Sequence, residues 1–88
     1  MEIKVEKPTE KQLKELKIES WSPWTCKPTT FPWEYSSEEI AYVKEGKVTV
    51  TTDEGEVTIQ KGDLVTFPKG LKCTWKVIET IKKVYTFR

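Results

Sequence analysis

Eighty-eight residues make room for one domain around one core, and no apolar run approaches the length that crosses a bilayer, so no membrane span is expected. Fifteen Lys and Arg stand against fourteen Asp and Glu, a formal net charge of +1; this leaves no overall field to hold a nucleic acid or an anionic membrane, and neither partner is expected. His is absent, so any catalysis must rest on Glu, Asp, Cys, Tyr or Lys.

A chain of this size buries only somewhat more than ~60% of its unfolded surface, which makes a homodimer the expected state. Charged residues form 33% of the chain, every cation but Arg88 is Lys, and Asn is missing, a balance that resembles heat-stable proteins and predicts thermostability. The absence of a basic-then-apolar leader predicts a cytoplasmic location. Cys26 and Cys73 lack C-x-x-C spacing and are expected to be reduced.

In chain order, "KPTEKQLKEL" carries a capping-box signal, Thr9 with Gln12, and predicts a short helix near 10–16 whose Leu13 and Leu16 face the barrel. The helical period then disappears. From "IESWSPW" onward, short alternating runs broken by Pro and Gly predict an all-β sandwich or barrel. In "FPWEY", Phe31, Trp33 and Tyr35 share one side; in "EIAYV", Glu39, Ala41 and Val43 do so. The clearest hairpin is "KVTVTTDEGEVTIQ", which turns at Asp53-Glu54-Gly55. "DLVTF" is a further strand. Pro68 and Gly70 then bend the chain into "KCTWKV", where Cys73, Trp75 and Val77 point inward. Gly46 and Gly62 are expected in tight turns at strand ends, and Gly70 at an unusual backbone angle. "IKKVYTFR" closes the sheet as a last strand.

Two motifs resemble the cupin superfamily. Glu39 and Gly46 bracket "IAYVKE" with the spacing that ends the first cupin motif. Gly62, Pro68, Gly70 and Cys73 keep every interval of the second, with Cys in place of its His. The resemblance covers about Trp21 to the end, and the pair of motifs especially resembles the small one-domain cupins related to (S)-ureidoglycine aminohydrolase. It implies an RmlC-like jelly roll, a double-stranded β-helix, with residues 1–88 as one cupin domain.

The resemblance also implies where a site would lie. Metal-binding cupins place a His-x-His pair before the glutamate and a further His on the second motif. Here that pair falls on Trp33 and Tyr35, or on Pro32 and Glu34 if the variable gap is one longer. With Cys73 in the last position, the donors are too few for a stable transition-metal site, and no metal or cofactor is expected.

The candidate catalytic residues are therefore Glu39, Tyr35 and Cys73. A carboxylate inside an aromatic pocket loses hydration and can serve as a general acid or base, whereas Cys73 is a poor nucleophile without a nearby cation. Phe31, Trp33, Tyr35 and Trp75 are candidate ligand-binding residues, since flat rings stack on a planar or sugar-like body, although large aromatics also fill small barrels. Trp21 and Trp24 either cover the barrel or pack at a dimer interface.

Two functions follow. One is a pocket for a small polar metabolite, sugar-like or ureido, with or without proton transfer by Glu39. The other is a non-catalytic binding or structural dimer that has lost the imidazoles. Whether the chain is an enzyme stays open between them.

Overall fold

The computed structural model describes the whole chain, Met1–Arg88. The first strand, β1 (Lys4–Glu6), leads into the helix α1 (Glu10–Leu16), which starts on the capping box read from the sequence. Gln12 N–H donates to Thr9 Oγ1 at 3.2 Å, and Thr9 N–H donates to Gln12 Oε1 at 2.8 Å. Lys17 ends the helix in the left-handed conformation, φ 56°. Leu13 and Leu16 do not reach the main core. They are half-buried, and Leu16 shares a groove with Ile40 and Leu64, side chains that the strand period turns away from the barrel interior.

Six further strands follow: β2 (Ser22–Cys26), β3 (Thr30–Glu34), β4 (Glu39–Thr52), β5 (Gly55–Gln60), β6 (Leu64–Phe67) and β7 (Lys72–Phe87). Every pairing is antiparallel, and the strands run β1-β6-β4-β7-β2, with β5 added to β4 and β3 added to β7. The fold is an all-β jelly-roll barrel with one short helix.

Two strands build both of its layers. The sequence reads as separate runs, "EIAYV" then "KVTVTT", and "KCTWKV" then "IKKVYTF", but each pair is one continuous strand, and β4 and β7 lie side by side along nearly their whole length. The first part of β4 and the last part of β7 join β6 and β2 in one layer; the other halves join β5 and β3 in the second.

The bend between the layers falls on Gly46. The strand end expected there is instead a bulge inside β4, marked by register shifts from Val43 to Val48. The extra residues change the phase of the alternation: Glu39, Ala41 and Val43 are buried before the bulge, Val48 and Val50 after it. Gly46 has φ +94°, and a Cβ there would overlap the Thr80 carbonyl and lie 2.6 Å from Ile81 Cα. Gly70 takes the unusual angle expected of it, φ +87°.

The core between the layers includes Val43, Val48, Val50, Ile59, Val65, Phe67, Val77 and Ile81. These fill the barrel below its mouth and leave the aromatic end for a site.

Candidate functional site

At one end of the barrel lies a cavity of about 270 Å³. Its wall takes Trp24 from β2, Phe31 and Trp33 from β3, Tyr35 just beyond β3, Glu39 from the start of β4, and Trp75, Lys83, Tyr85 and Phe87 from β7. Seven of the nine are aromatic. Trp33 and Phe87 are 52% and 57% exposed, so the cavity reaches the surface between them.

Strand alternation puts these side chains together. Phe31, Trp33 and Tyr35 lie on the inner side of their segment, and Ile81, Lys83, Tyr85 and Phe87 follow one another on the inner side of β7. Two bonds to the "PKGL" bend fix Tyr35: its N–H donates to Leu71 O at 2.9 Å, and Gly70 N–H donates to its carbonyl at 2.6 Å. The Tyr35 ring stacks on Phe67 at 4.7 Å, and Trp75 Nε1–H donates to its hydroxyl at 3.2 Å. Trp75 in turn stacks on Phe31 at 6.1 Å and meets the edge of Trp24 at 5.8 Å. Such pairs add about 0.5–1.5 kcal/mol each beyond burial, so the walls are held by their own contacts.

The only charged pair on the wall is Glu39 with Lys83. Lys83 Nζ donates to Glu39 Oε2 at 2.7 Å, and each side chain is 7% exposed. The ammonium also lies near four rings, at 4.8 Å from Trp75, 5.0 Å from Trp24, 5.4 Å from Tyr85 and 5.9 Å from Phe67. Burial pushes the Lys83 amine below the ordinary lysine value, while the charge and hydrogen bond of Glu39 pull it back up. Burial likewise pushes the Tyr35 phenol well above its ordinary value of 10.0, with the Glu39 charge adding to the rise.

The sequence reading missed Lys83, Tyr85 and Phe87. The signal was present, because the period of two that placed Trp75 inward also places Lys83 inward; a lysine invites assignment to solvent. Trp24 covers the mouth from β2.

Glu39 and Tyr35 line the cavity, together with Phe31, Trp33 and Trp75. Cys73 is not on the wall with them, although it packs against Tyr35 and Trp75 just behind it. Cys73 is buried in the core and absent from the cavity wall, and its thiol points to the Trp33 carbonyl at 3.7 Å across the β3–β7 pairing. Burial pushes this thiol up, away from the reactive thiolate. Cys26 is half-buried, and the two are not joined.

Residues 13–85 match the EutQ-like cupin domain family. The chain belongs to that family. This cupin is 34% identical over 59 residues to a protein described as acetate kinase EutQ from Clostridioides difficile strain 630, a stretch that covers 67% of this chain and 38% of the relative. It therefore spans well under half of that relative's length. Among solved structures, a DUF861 family protein from Thermotoga maritima is 51% identical, with a TM-score of 0.96 over 99% of this chain and 100% of the other. The C. difficile EutQ structure is 32% identical, with a TM-score of 0.66 over 72% of this chain and 50% of the other.

The metal implied by the wider superfamily does not fit the residues found. No group of three or more His, Cys, Asp or Glu side chains comes together to hold one. Rings stand at the positions of the imidazole pair, and the one carboxylate already binds the Lys83 ammonium. An internal cation thus occupies the place beside Glu39 that a bound cation would need.

Proposed function

We propose that this cupin binds a small, uncharged, flat-bodied molecule in the aromatic mouth of the barrel, with Glu39 and Lys83 passing a proton to or from its polar end. The supporting observation is the buried Glu39–Lys83 pair on the wall of a surface-reaching cavity whose remaining seven lining residues are aromatic. The rings supply stacking area, and the pair supplies one donor and one acceptor with no net charge, so a charged ligand would meet no uncompensated partner. Sugar-like and ureido compounds belong to this class. Tyr35 is a neutral hydroxyl on the same wall and orients the polar end.

The acetate kinase activity named for the C. difficile relative is not carried over. The one lysine on the wall is already paired with Glu39 and enclosed by rings, a poor seat for a multiply charged phosphate.

Trp24, Trp33 and Trp75 line the cavity, so quenching of tryptophan fluorescence in titrations with a panel of small uncharged metabolites tests the reading. A saturable change that Glu39→Gln weakens, with the fold intact by circular dichroism, supports it; an unresponsive cavity rejects it. In the alternative, a non-catalytic homodimer, Glu39→Gln changes only stability. Light scattering after gel filtration measures that self-association. No helix is long and apolar enough to cross a membrane.

A further inference from the structure

We propose that the Lys83 amine is a nucleophile that condenses with small uncharged aldehydes or ketones entering the barrel mouth, giving an iminium held against Glu39. The inference rests on the cavity being a small-molecule site and assigns that site a covalent chemistry.

Four features combine at this amine. It lies on the cavity wall and so is reachable from the mouth between Trp33 and Phe87. A carboxylate oxygen stands 2.7 Å from it, within range to remove its proton. Its surroundings are apolar and aromatic, the setting in which a lysine gives up its proton and becomes nucleophilic, and burial does lower its basicity. The same rings that face the ammonium at 4.8–5.9 Å would face the iminium, which keeps the positive charge at nearly the same point.

The proton and electron count closes with these two side chains alone. Glu39 carboxylate takes a proton from the ammonium, leaving a neutral amine and a neutral acid. The nitrogen lone pair forms the C–N bond, and the carbonyl π pair moves to oxygen. Glu39 protonates that oxygen and receives the extra proton from nitrogen, which gives a carbinolamine. It then protonates the hydroxyl, water leaves, and the nitrogen lone pair forms the C=N bond. Iminium and carboxylate remain, the same charges as the starting pair, and no oxidant or reductant is consumed.

Lys82 provides an internal control. It is the neighbouring residue on β7 and is also ion-paired, to Glu45 at 3.2 Å, but its side chain is 58% exposed and points away from the cavity. Proximity to a carboxylate is thus shared by the two lysines, and enclosure is not.

The test treats the folded protein with limiting benzaldehyde and cyanoborohydride at neutral pH and maps the benzylated lysines by mass spectrometry. The expected result is labelling of Lys83 at least about tenfold faster than Lys82 and the other twelve lysines. Its loss is expected in the Glu39→Gln, Lys83→Met double variant, which keeps the buried site uncharged. Calorimetry with benzyl alcohol, which has the same shape but cannot condense, separates the two claims. Binding of benzyl alcohol with Lys83 labelled no faster than Lys82 overturns the condensation and leaves the binding site standing. Neither binding nor selective labelling overturns both.

Discussion

Glu39 and Lys83 occupy the inner faces of adjacent antiparallel strands, four register pairs apart, and the lysine side chain runs along β7 past Tyr85 to close the 2.7 Å contact. Their Cα partners are Phe87 and Val43, so neither residue faces the other directly. The reach of the lysine makes the pair.

Breaking this pair from one side strands a buried charge. Lys83→Met is expected to cost about 3–5 kcal/mol, because Glu39 then keeps its charge without a partner. Adding Glu39→Gln should return most of that loss, since a buried pair replaced by uncharged groups is often neutral in cost. Urea unfolding of the two single variants and the double variant completes the cycle; additive losses would mean that the two side chains do not act together.

Gly46 is expected to tolerate no side chain. Gly46→Ala meets both a positive φ and the backbone of Thr80 and Ile81, so it should destabilise by about 2–4 kcal/mol. Gly62→Ala is the comparison, since it shares a positive φ but has open space around the added Cβ. A smaller midpoint shift for Gly62→Ala in thermal unfolding isolates the cost of the collision.

Tyr35 should make the fold sensitive to alkali. Its phenol is held protonated in the folded state, so above pH 10.0 the unfolded chain ionises first and stability falls, by up to about 1.4 kcal/mol per pH unit for this one group. Lys83 works with the opposite sign. Its basicity is lowered on folding, so stability rises with pH as 10.5 is approached from below. Tyr35→Phe removes the first effect alone and should flatten the alkaline limb of a stability profile measured by denaturant unfolding. An unchanged limb would show that the phenol ionises as freely folded as unfolded.

The two thiols should separate in alkylation. Cys73 is enclosed and its thiol is pushed up, so iodoacetamide at neutral pH is expected to label the half-buried Cys26 first and to reach Cys73 only on unfolding. Cys73→Ala should cost about 1–2 kcal/mol of packing and leave ligand-induced fluorescence changes in place. Loss of the ligand response in this variant would return Cys73 to the site.

Much of this molecule was legible along the chain. The capping box at Thr9 and Gln12, the hairpin around Gly55 and the inward faces of "FPWEY", "EIAYV" and "KCTWKV" are short-range patterns, and each depends on residues within one turn or strand. Strand continuity was less legible. Gly46 reads as a stop because a glycine usually ends a strand, yet here it lets β4 bend without breaking.

By itself the sequence determined the barrel, the short helix and the side of each strand that turns inward, because local spacing dictates which side chains share a face. Only the tertiary structure decided which inward-facing groups meet. Cys73 and Tyr35 sit on neighbouring segments of one cluster, but the tyrosine lines the cavity while the thiol, turned to the Trp33 carbonyl, stays behind the wall. Glu39 gained a partner forty-four residues away, and it did so because antiparallel pairing of β4 and β7 brings the start of one strand within side-chain reach of the far part of the other. Long-range pairing leaves no mark in local periodicity.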